Sequence, residues 1–121
     1  MFACKLYMYL KNDGVLAFKL KVEGEIIPLL QKRRGFLEQI IFLYLNGREV
    51  QAFSLWETAE DAEAYNRETY PQVRRMLASV IEGNPRIETF EVLSSTLHKA
   101  SGPASLLGPF GRGQWALAAA G

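Results

Sequence analysis

Two apolar runs of the sequence flank the dipeptide Asn46-Gly47, and this feature constrains the fold more than any other. An Asn-Gly pair between apolar segments is the strongest short signal for a β-hairpin, because both residues tolerate the positive φ angles of tight turns. Residues 36–45 and 50–56 are therefore predicted to be neighbouring antiparallel strands. A two-residue turn then sets their register by counting outward. The predicted pairs are Leu45 with Arg48, Leu43 with Val50, Ile41 with Ala52, Gln39 with Ser54, and Leu37 with Trp56.

The segment before the hairpin predicts a strand followed by a helix. Residues 2–11 alternate between two sets of side chains with a period of two, which is typical of a strand. From residue 15 to residue 35, apolar side chains recur at helical spacing. Gly24 and Pro28 lie inside this second stretch, so the helix is expected to be kinked there.

The segment after the hairpin predicts a second helix and a last strand. Thr58 is the expected N-cap of a helix beginning at Ala59. Pro71 is expected to divide this helix into two pieces, and Gly83 to cap it. Residues 86–97 are predicted to return as the fourth strand. The resulting βαββαβ order predicts an α+β, ferredoxin-like fold with a four-stranded antiparallel sheet.

Both faces of the predicted sheet are apolar. The face of small and aliphatic residues, which includes Ile41, Val50 and Ala52, is expected to lie beneath the helices. Two helices cover only one face of such a sheet, and a solvated second face would be polar at alternate positions. A second copy of the chain is therefore expected to cover it, with about 800 Å² buried per partner. The predicted assembly is a homodimer with its sheets back to back, a dimeric α/β barrel.

Composition and charge exclude several classes of partner. The 121 residues, 49% hydrophobic and 22% charged, suit one domain. A net charge of +1 provides no field that would concentrate nucleic acid or an anionic membrane. No apolar run is long enough to span a membrane or resembles a signal peptide, so a cytoplasmic protein is expected. One cysteine, Cys4, and one histidine, His98, argue against a metal site, and no cofactor is predicted.

The amino-acid composition changes near Ala100. Residues 100–121 hold a single charged side chain, Arg112, among many glycines, alanines and prolines. The predicted organisation is a folded domain over residues 1–99 and a Gly/Ala/Pro-rich tail over residues 100–121. The tail also contains leucine, phenylalanine and tryptophan, so it is expected to lie against its own subunit or a neighbour.

Candidate site residues begin on the face expected beneath the helices. Gln39 and Ser54 are polar residues there, opposite each other and beside Trp56. A buried amide or hydroxyl group needs a hydrogen bond, so these two either satisfy each other or contact a ligand. Trp56 ends its strand where the second helix begins, and it either packs in the core or forms the wall of a pocket.

The second helix and the remaining chain add further candidates. Asn66 has no propensity reason to lie inside a helix, so it is either a plain surface residue or a ligand contact. Tyr65 and Tyr70 lie on the same helix, and some of these side chains must face inward. His98 is the only side chain that titrates near neutral pH without perturbation, although packing is the more common role for such a residue. Cys4 is interpreted as a small core residue.

Taken with the element order, these residues resemble the dimeric α/β-barrel proteins of the antibiotic biosynthesis monooxygenase type. The resemblance rests on Gly35-Phe36 at the start of the second strand and on Ser54-Leu55-Trp56-Glu57 leading into the second helix. It covers about residues 2 to 98. Such proteins include cofactor-free quinone-forming oxygenases, haem-degrading enzymes and small isomerase-like proteins, so the resemblance implies the fold more strongly than the activity.

The resemblance also implies roles for particular positions. In the haem-degrading branch, the histidine that ligates iron follows the tryptophan of the third strand by ten residues; here that position is Asn66, which disfavours haem. The cofactor-free branch keeps a tryptophan corresponding to Trp56 and binds an aromatic phenol or anthrone through polar residues. Trp56 meets this pattern, and Tyr44, Asn66 and Tyr70 are the candidates for the polar residues.

Two functions follow as hypotheses. In the first, the protein is a cofactor-independent monooxygenase of a small aromatic or hydrophobic substrate, with Trp56 and Asn66 as catalytic residues. Its substrate-binding residues would be Gln39, Ser54, Tyr65, Tyr70, Tyr44 and His98. In the second, it is a non-catalytic dimeric protein that binds a small ligand or serves as a scaffold, because the sequence shows no convincing acid/base pair.

Overall fold

The computed structural model of the chain describes residues 1–96, which form one four-stranded sheet with helices on one face. A turn of π-helix over Val22–Ile26 joins α1 to α2 without a break. The element bounds are β1 Phe2–Leu10, α1 Val15–Lys21, α2 Ile27–Gln31, β2 Phe36–Leu43, β3 Glu49–Trp56, α3 Ala59–Glu68, α4 Tyr70–Leu77 and β4 Ile81–Glu91. None of these helices is long and apolar enough to cross a membrane.

All neighbouring strands are antiparallel, and their order across the sheet is β2-β3-β1-β4. The first strand therefore lies inside the sheet, and the two strands that follow helices lie at its edges. This arrangement confirms the predicted α+β, ferredoxin-like fold. The predicted boundary between residues 1–99 and the tail at 100–121 lies outside the described residues.

The hairpin has the predicted register but a different turn. Leu43 faces Val50, and the pairs continue as predicted to Gln39 and Ser54. The turn is a loop of four residues closed by the backbone N–H of Tyr44, which donates to the carbonyl of Glu49 at 2.9 Å. The predicted two-residue turn was wrong. The strand register is nevertheless as predicted, because a two-residue loop and a four-residue loop centred on Asn46-Gly47 pair the same residues of the two strands.

The predicted pair between Leu37 and Trp56 was also wrong. A bulge at Leu37 shifts the register, so that Phe36 faces Trp56. Gly35, just before this strand, has a φ of +80° and lies against the Asp61 side chain. A Cβ atom at Gly35 would overlap the Asp61 side chain at its Oδ2 atom, so only glycine permits this contact between the start of β2 and α3.

The helix signals predicted at Thr58 and Pro71 are confirmed, and the irregularity predicted around Gly24 is a π-helical turn. Thr58 Oγ1 accepts a hydrogen bond from the backbone N–H of Asp61 at 3.0 Å, as an N-cap does. The second helix divides before Tyr70, and Pro71 occupies the first turn of the new segment. In the first helix, the irregularity around Gly24 takes the form of the π-helical turn, which widens the helix locally.

The fourth strand begins earlier than predicted. It starts at Ile81, not at residue 86, and ends at Glu91. Gly83 does not cap the preceding helix, since α4 ends at Leu77; with a φ of +67°, Gly83 lies in a bulge of the strand itself. Between the pairs Tyr7–Arg86 and Tyr9–Glu82, β4 carries three residues where β1 carries one.

The core lies between the sheet and the helices, as predicted. Val50 and Ala52 are buried there with Trp56, which has no exposed surface. Leu10, Leu30, Val73 and Leu77 are also nearly fully buried in this layer. The helices therefore cover the sheet face that was predicted to lie beneath them from the alternation of side chains along the hairpin strands.

The opposite face of the sheet, called the open face below, exposes large apolar side chains. Ile40, Phe42 and Tyr44 on and just after β2 are all exposed, and so are Tyr9 and Phe90. The β1–β4 half of this face is more polar, with an ion pair of 2.8 Å between Lys5 and Glu88. The predicted apolar character of the second face is thus concentrated on the β2–β3 half.

Candidate functional site

A cleft of about 360 Å³ lies between α1 with its π-helical turn and the sheet strands β2 and β3. Its walls are mostly aliphatic and aromatic, and Lys19 and Glu23 are the charged residues that line it. We call it the outer cleft. It adjoins a much smaller space of about 30 Å³ deeper beneath the helices, the inner chamber. Four residues line both: Phe18, Val22, Gln39 and Ile41.

A row of polar side chains crosses the floor of the inner chamber. Gln39 on β2 faces Ser54 on β3, which in turn faces Cys4 on β1. From above, Asn66 on α3 donates its Nδ2–H to the Cys4 Sγ atom at 3.8 Å. These four side chains all line the chamber. A polar cluster therefore lies at the inner end of an otherwise apolar space.

Two of these groups are available for other partners. The Gln39 amide makes no hydrogen bond with another protein group in residues 1–96. The Asn66 amide uses a thiol as its acceptor, and sulfur is a weak acceptor. By contrast, Ser54 Oγ already accepts a hydrogen bond from Trp56 Nε1 at 2.9 Å. Gln39 and Asn66 thus offer N–H donors that an oxygen atom in the chamber would engage more strongly.

The inner chamber holds no charged side chain among its lining residues. Burial raises the pKa of the Cys4 thiol, an effect partly opposed by hydrogen bonds with Asn66 and Ser54. Burial likewise raises the pKa of Tyr65, which also lines the chamber. Both groups therefore stay neutral at physiological pH, and neither acts as a ready base. Within the described residues, no group of three or more His, Cys, Asp or Glu side chains is placed to hold a metal ion.

A cluster of aromatic rings packs against Tyr65, one of the residues that line the chamber. The Trp56 ring stacks on Tyr65 with centroids 4.9 Å apart and planes 28° apart, and Phe36 meets its edge at 5.6 Å. Tyr70 is tilted against Tyr65 at 6.4 Å. Trp56 and Tyr70 are not among the residues that line the chamber or the cleft. They hold Tyr65 in place and do not touch the space it lines.

The structure brings together only part of the predicted site. Gln39, Ser54, Tyr65 and Asn66 meet at the inner chamber. Tyr44 points to the open face, where its hydroxyl is hydrogen-bonded to the Gln51 side chain. Because the sheet separates it from the chamber, Tyr44 is not part of this cavity. His98 lies outside the described residues.

The sequence analysis did not predict that Cys4 belongs to the polar cluster at the inner chamber. Cys4 was interpreted as a plain core residue, yet it faces Ser54 and accepts the Asn66 hydrogen bond. The available signal was the pairing of β1 with β3, which a ferredoxin-like topology requires. Once those strands are paired, alternation puts Cys4 in the same row as Gln39 and Ser54.

The raised pKa of Cys4 predicts a stability change at alkaline pH. The unfolded thiol ionises near its ordinary value of 9.0, whereas the folded thiol keeps its proton to higher pH. Above about pH 9 the unfolded state binds fewer protons, so the free energy of unfolding falls as pH rises, by at most about 1.4 kcal/mol per pH unit for one group. Urea unfolding of the wild type and of Cys4→Ala at several pH values measures this, and the variant should show the shallower decline. Equal slopes for the two proteins would contradict the assignment.

No protein-family model matches the chain, and no curated protein matches it in sequence. Solved structures do resemble it. A protein of unknown function from Nitrosomonas europaea has a TM-score of 0.66 at 16% identity, covering 80% of this chain and 93% of that one. A monooxygenase from the gene ActVA-Orf6 of Streptomyces coelicolor, in complex with the ligand nanaomycin D, has a TM-score of 0.67 at 14% identity, covering 81% and 92%.

A third solved structure points the same way. A candidate antibiotic biosynthesis monooxygenase from Bordetella bronchiseptica has a TM-score of 0.66 at 12% identity, covering 77% of this chain and 97% of that one. Identities this low establish similarity of fold and not of activity. The β2-β3-β1-β4 sheet, the helices on one face and these three likenesses lead to one conclusion. The chain has the fold of the antibiotic biosynthesis monooxygenase-like proteins.

Proposed function

We propose that the protein binds an electron-rich hydroxyaromatic molecule in the outer cleft and promotes its reaction with oxygen without a cofactor. The observation that carries the proposal is an apolar cleft that ends at uncharged amide donors, those of Gln39 and Asn66. Ligand sites typically combine an apolar lining with a few polar groups that orient the ligand. This arrangement suits a flat apolar body with one oxygen at its end.

The two spaces differ in size in a way that sets the orientation of such a ligand. The outer cleft, about 360 Å³, lies within the range of small-molecule sites. The inner chamber, about 30 Å³, has room for a single water-sized group. The ring system would therefore lie in the cleft, against Phe18 and Ile41, and the ring oxygen would enter the chamber.

The chemistry needs an anion, and the site would stabilise it through neutral donors. Hydrogen bonds from Gln39 and Asn66 favour the phenolate over the phenol in a space that excludes water. The phenolate donates two electrons to O₂ from a ring carbon, which forms a carbon-bound hydroperoxide after proton uptake. Loss of one water molecule then leaves the quinone. Because no acid or base lines the chamber, the phenolic proton is lost to solvent before the ring oxygen enters it, and the substrate must be acidic enough to lose that proton in water.

The fold neighbours support this reading. The Streptomyces coelicolor monooxygenase of similar fold was solved in complex with the ligand nanaomycin D. The present chain has the same fold and an apolar cleft on the helix side of its sheet. Similarity of fold alone does not give the substrate, and the proposal rests on the lining residues described above.

A second candidate function is binding without catalysis. The absence of a charged acid or base among the residues that line the inner chamber favours it. In that case the cleft would hold a similar apolar molecule, and the amides would orient it without reaction. Ligand binding with no oxygen uptake distinguishes this function from the first.

Oxygen consumption with 1,8-dihydroxyanthrone as substrate tests the proposal. We expect uptake above the uncatalysed rate, and Asn66→Ala should lower kcat/KM by about 10²-fold, as loss of one oxyanion donor does. Asn12→Ala, at an exposed turn, is the matched control and should leave the rate unchanged. An unchanged rate in Asn66→Ala would remove this residue from the mechanism. Absence of both binding and uptake would overturn the site itself.

The assembly is part of the same proposal. We infer that two copies associate through the open face, with the apolar β2–β3 half as the centre of contact. Exposed aromatic and aliphatic side chains at neighbouring positions, such as Ile40 and Phe42, support this. The outer cleft lies on the other side of the sheet, so each copy would keep its own ligand site. A cytoplasmic location, expected from the sequence, belongs to this proposal as well.

A further inference from the structure

The two charged side chains of the outer cleft lie at its end away from the inner chamber. Lys19 and Glu23 line the outer cleft but not the inner chamber, whereas Asn66 lines the inner chamber but not the outer cleft. Gln39 lines both spaces and therefore lies between these two ends. A ligand that extends from the chamber through the cleft thus meets amide groups at one end and a pair of opposite charges at the other.

Lys19 and Glu23 are not paired with each other. They lie four residues apart, on α1 and on the π-helical turn that continues it, a spacing at which helical side chains are neighbours. Lys21 and Glu25 have the same spacing, and their charged atoms lie 3.4 Å apart. Within residues 1–96, no ion pair or side-chain hydrogen bond engages Lys19 or Glu23. In this part of the chain, the cleft therefore presents an ammonium group and a carboxylate group that are both available to a ligand.

Opposite charges side by side favour a ligand that carries both signs. A substituent with a single charge is attracted by one of the two groups and repelled by the other, which leaves little net gain. An α-amino acid head group instead has a carboxylate for Lys19 and an ammonium group for Glu23. We propose that the outer cleft takes a hydroxyaromatic amino acid: its ring oxygen enters the inner chamber, and its free α-carboxylate and α-ammonium groups contact Lys19 and Glu23.

These contacts remain accessible in the proposed homodimer. Lys19 and Glu23 are exposed on the helix side of the sheet, whereas the two copies would meet through the open face. The inference rests on the proposed function, because the ring and its oxygen occupy the positions described there. Contacts between exposed charged groups are weak, so each should change the affinity by about threefold, and the two together by about tenfold.

Fluorine NMR titrations with 3,5-difluoro-L-tyrosine test this inference. Its fluorine atoms make the phenol acidic enough to lose its proton in water near neutral pH, and their signals report binding. The reference ligand is 2,6-difluoro-4-methylphenol, which has the same ring and no charged head group. We expect the amino acid to bind about tenfold more tightly than the reference phenol. Salt at about 0.5 M should remove most of this difference, because it screens contacts between exposed charges.

Two variants and two truncated ligands separate the contacts. Lys19→Gln and Glu23→Gln should each weaken binding of the amino acid about threefold. The ligand 3,5-difluorotyramine lacks the carboxylate, so Lys19→Gln removes a repulsion and should strengthen its binding. The ligand N-acetyl-3,5-difluoro-L-tyrosine lacks the ammonium group, so Glu23→Gln should strengthen its binding in the same way. Lys21→Gln and Glu25→Gln, at the neighbouring pair, are the matched controls and should bind all these ligands as the wild type does.

Several results would overturn the inference. Equal affinities for the amino acid and the reference phenol would do so and leave the proposed function in place. Losses of equal size in Lys21→Gln and Lys19→Gln would show a general effect of charge and no contact with the head group. If neither the amino acid nor the reference phenol binds, the outer cleft is not a ligand site, and the proposed function fails together with this inference. Circular dichroism checks that each variant is folded.

Discussion

Replacing Trp56 with alanine is expected to lower the free energy of unfolding by about 3–5 kcal/mol, the usual cost of removing a buried aromatic side chain. Trp56 has no exposed surface, stacks on Tyr65 and meets Phe36 edge to face. Its indole N–H also satisfies Ser54, whose hydroxyl would otherwise be left beside the inner chamber. A domain of this size has about 5–15 kcal/mol of stability in total, so the loss would be a large part of it. Urea unfolding followed by circular dichroism measures the change.

Two further variants separate packing from function at this position. Trp56→Phe keeps an aromatic ring but loses the N–H, so we expect a smaller loss of about 1–2 kcal/mol. Leu16→Ala removes an equally apolar side chain that is 66% exposed, and it should change stability by no more than about 0.5 kcal/mol. If Trp56→Ala costs less than Leu16→Ala, the aromatic stack is not the support described above. If Trp56→Phe is stable yet inactive, the residue has a role in the reaction beyond packing.

The sequence predicted the fold well where short-range chemistry decides the structure. The Asn46-Gly47 dipeptide predicted the hairpin, and the register counted from it correctly paired Gln39 with Ser54 on one face. The N-cap at Thr58 was also predicted, because the Ser/Thr preference at that position has a local cause. These features depend on residues a few positions apart, and the sequence shows such residues directly.

The sequence was less informative wherever a strand is irregular. The bulge at Leu37 and the larger bulge in β4 each arise from a fit between strands that are distant in the chain. Gly83 illustrates the problem, since a glycine of positive φ serves equally well as a helix cap and in a bulge. The choice between those roles depends on β1, which lies some seventy residues earlier.

In the candidate site too, the sequence predicted what depends on nearby residues and did not predict what depends on contacts between distant elements. Side-chain type and alternation identified Gln39, Ser54, Tyr65 and Asn66, which do meet at one chamber. Whether Trp56 lines that chamber or supports it depends on the tilt of α3 over the sheet, and no local pattern reports this. The contribution of Cys4 required the order of the strands, because its partner Ser54 is fifty residues away in the chain.

The position of Phe42 leads to the prediction with the largest effect on assembly. It lies on the open face, 54% exposed, and its ring meets Phe53 edge to face at 5.9 Å. In a homodimer with two-fold symmetry the same patch occurs on both copies, so one substitution acts twice. A carboxylate buried without a partner in an interface costs about 2–5 kcal/mol. Phe42→Asp is therefore expected to raise the dimer dissociation constant by about 10³-fold or more.

Light scattering at about 10 µM, a concentration at which a stable homodimer remains associated, measures this effect. We expect the wild type at twice the 13.6 kDa mass of the chain and Phe42→Asp at the mass of one chain, with the circular dichroism of a folded protein in both. Leu16→Asp adds the same charge at a position that is also exposed, but on α1, across the sheet from the open face. It should remain a dimer, because α1 plays no part in the proposed contact. A monomeric wild type, or a dimer that Leu16→Asp separates and Phe42→Asp does not, would show that the open face is not the interface.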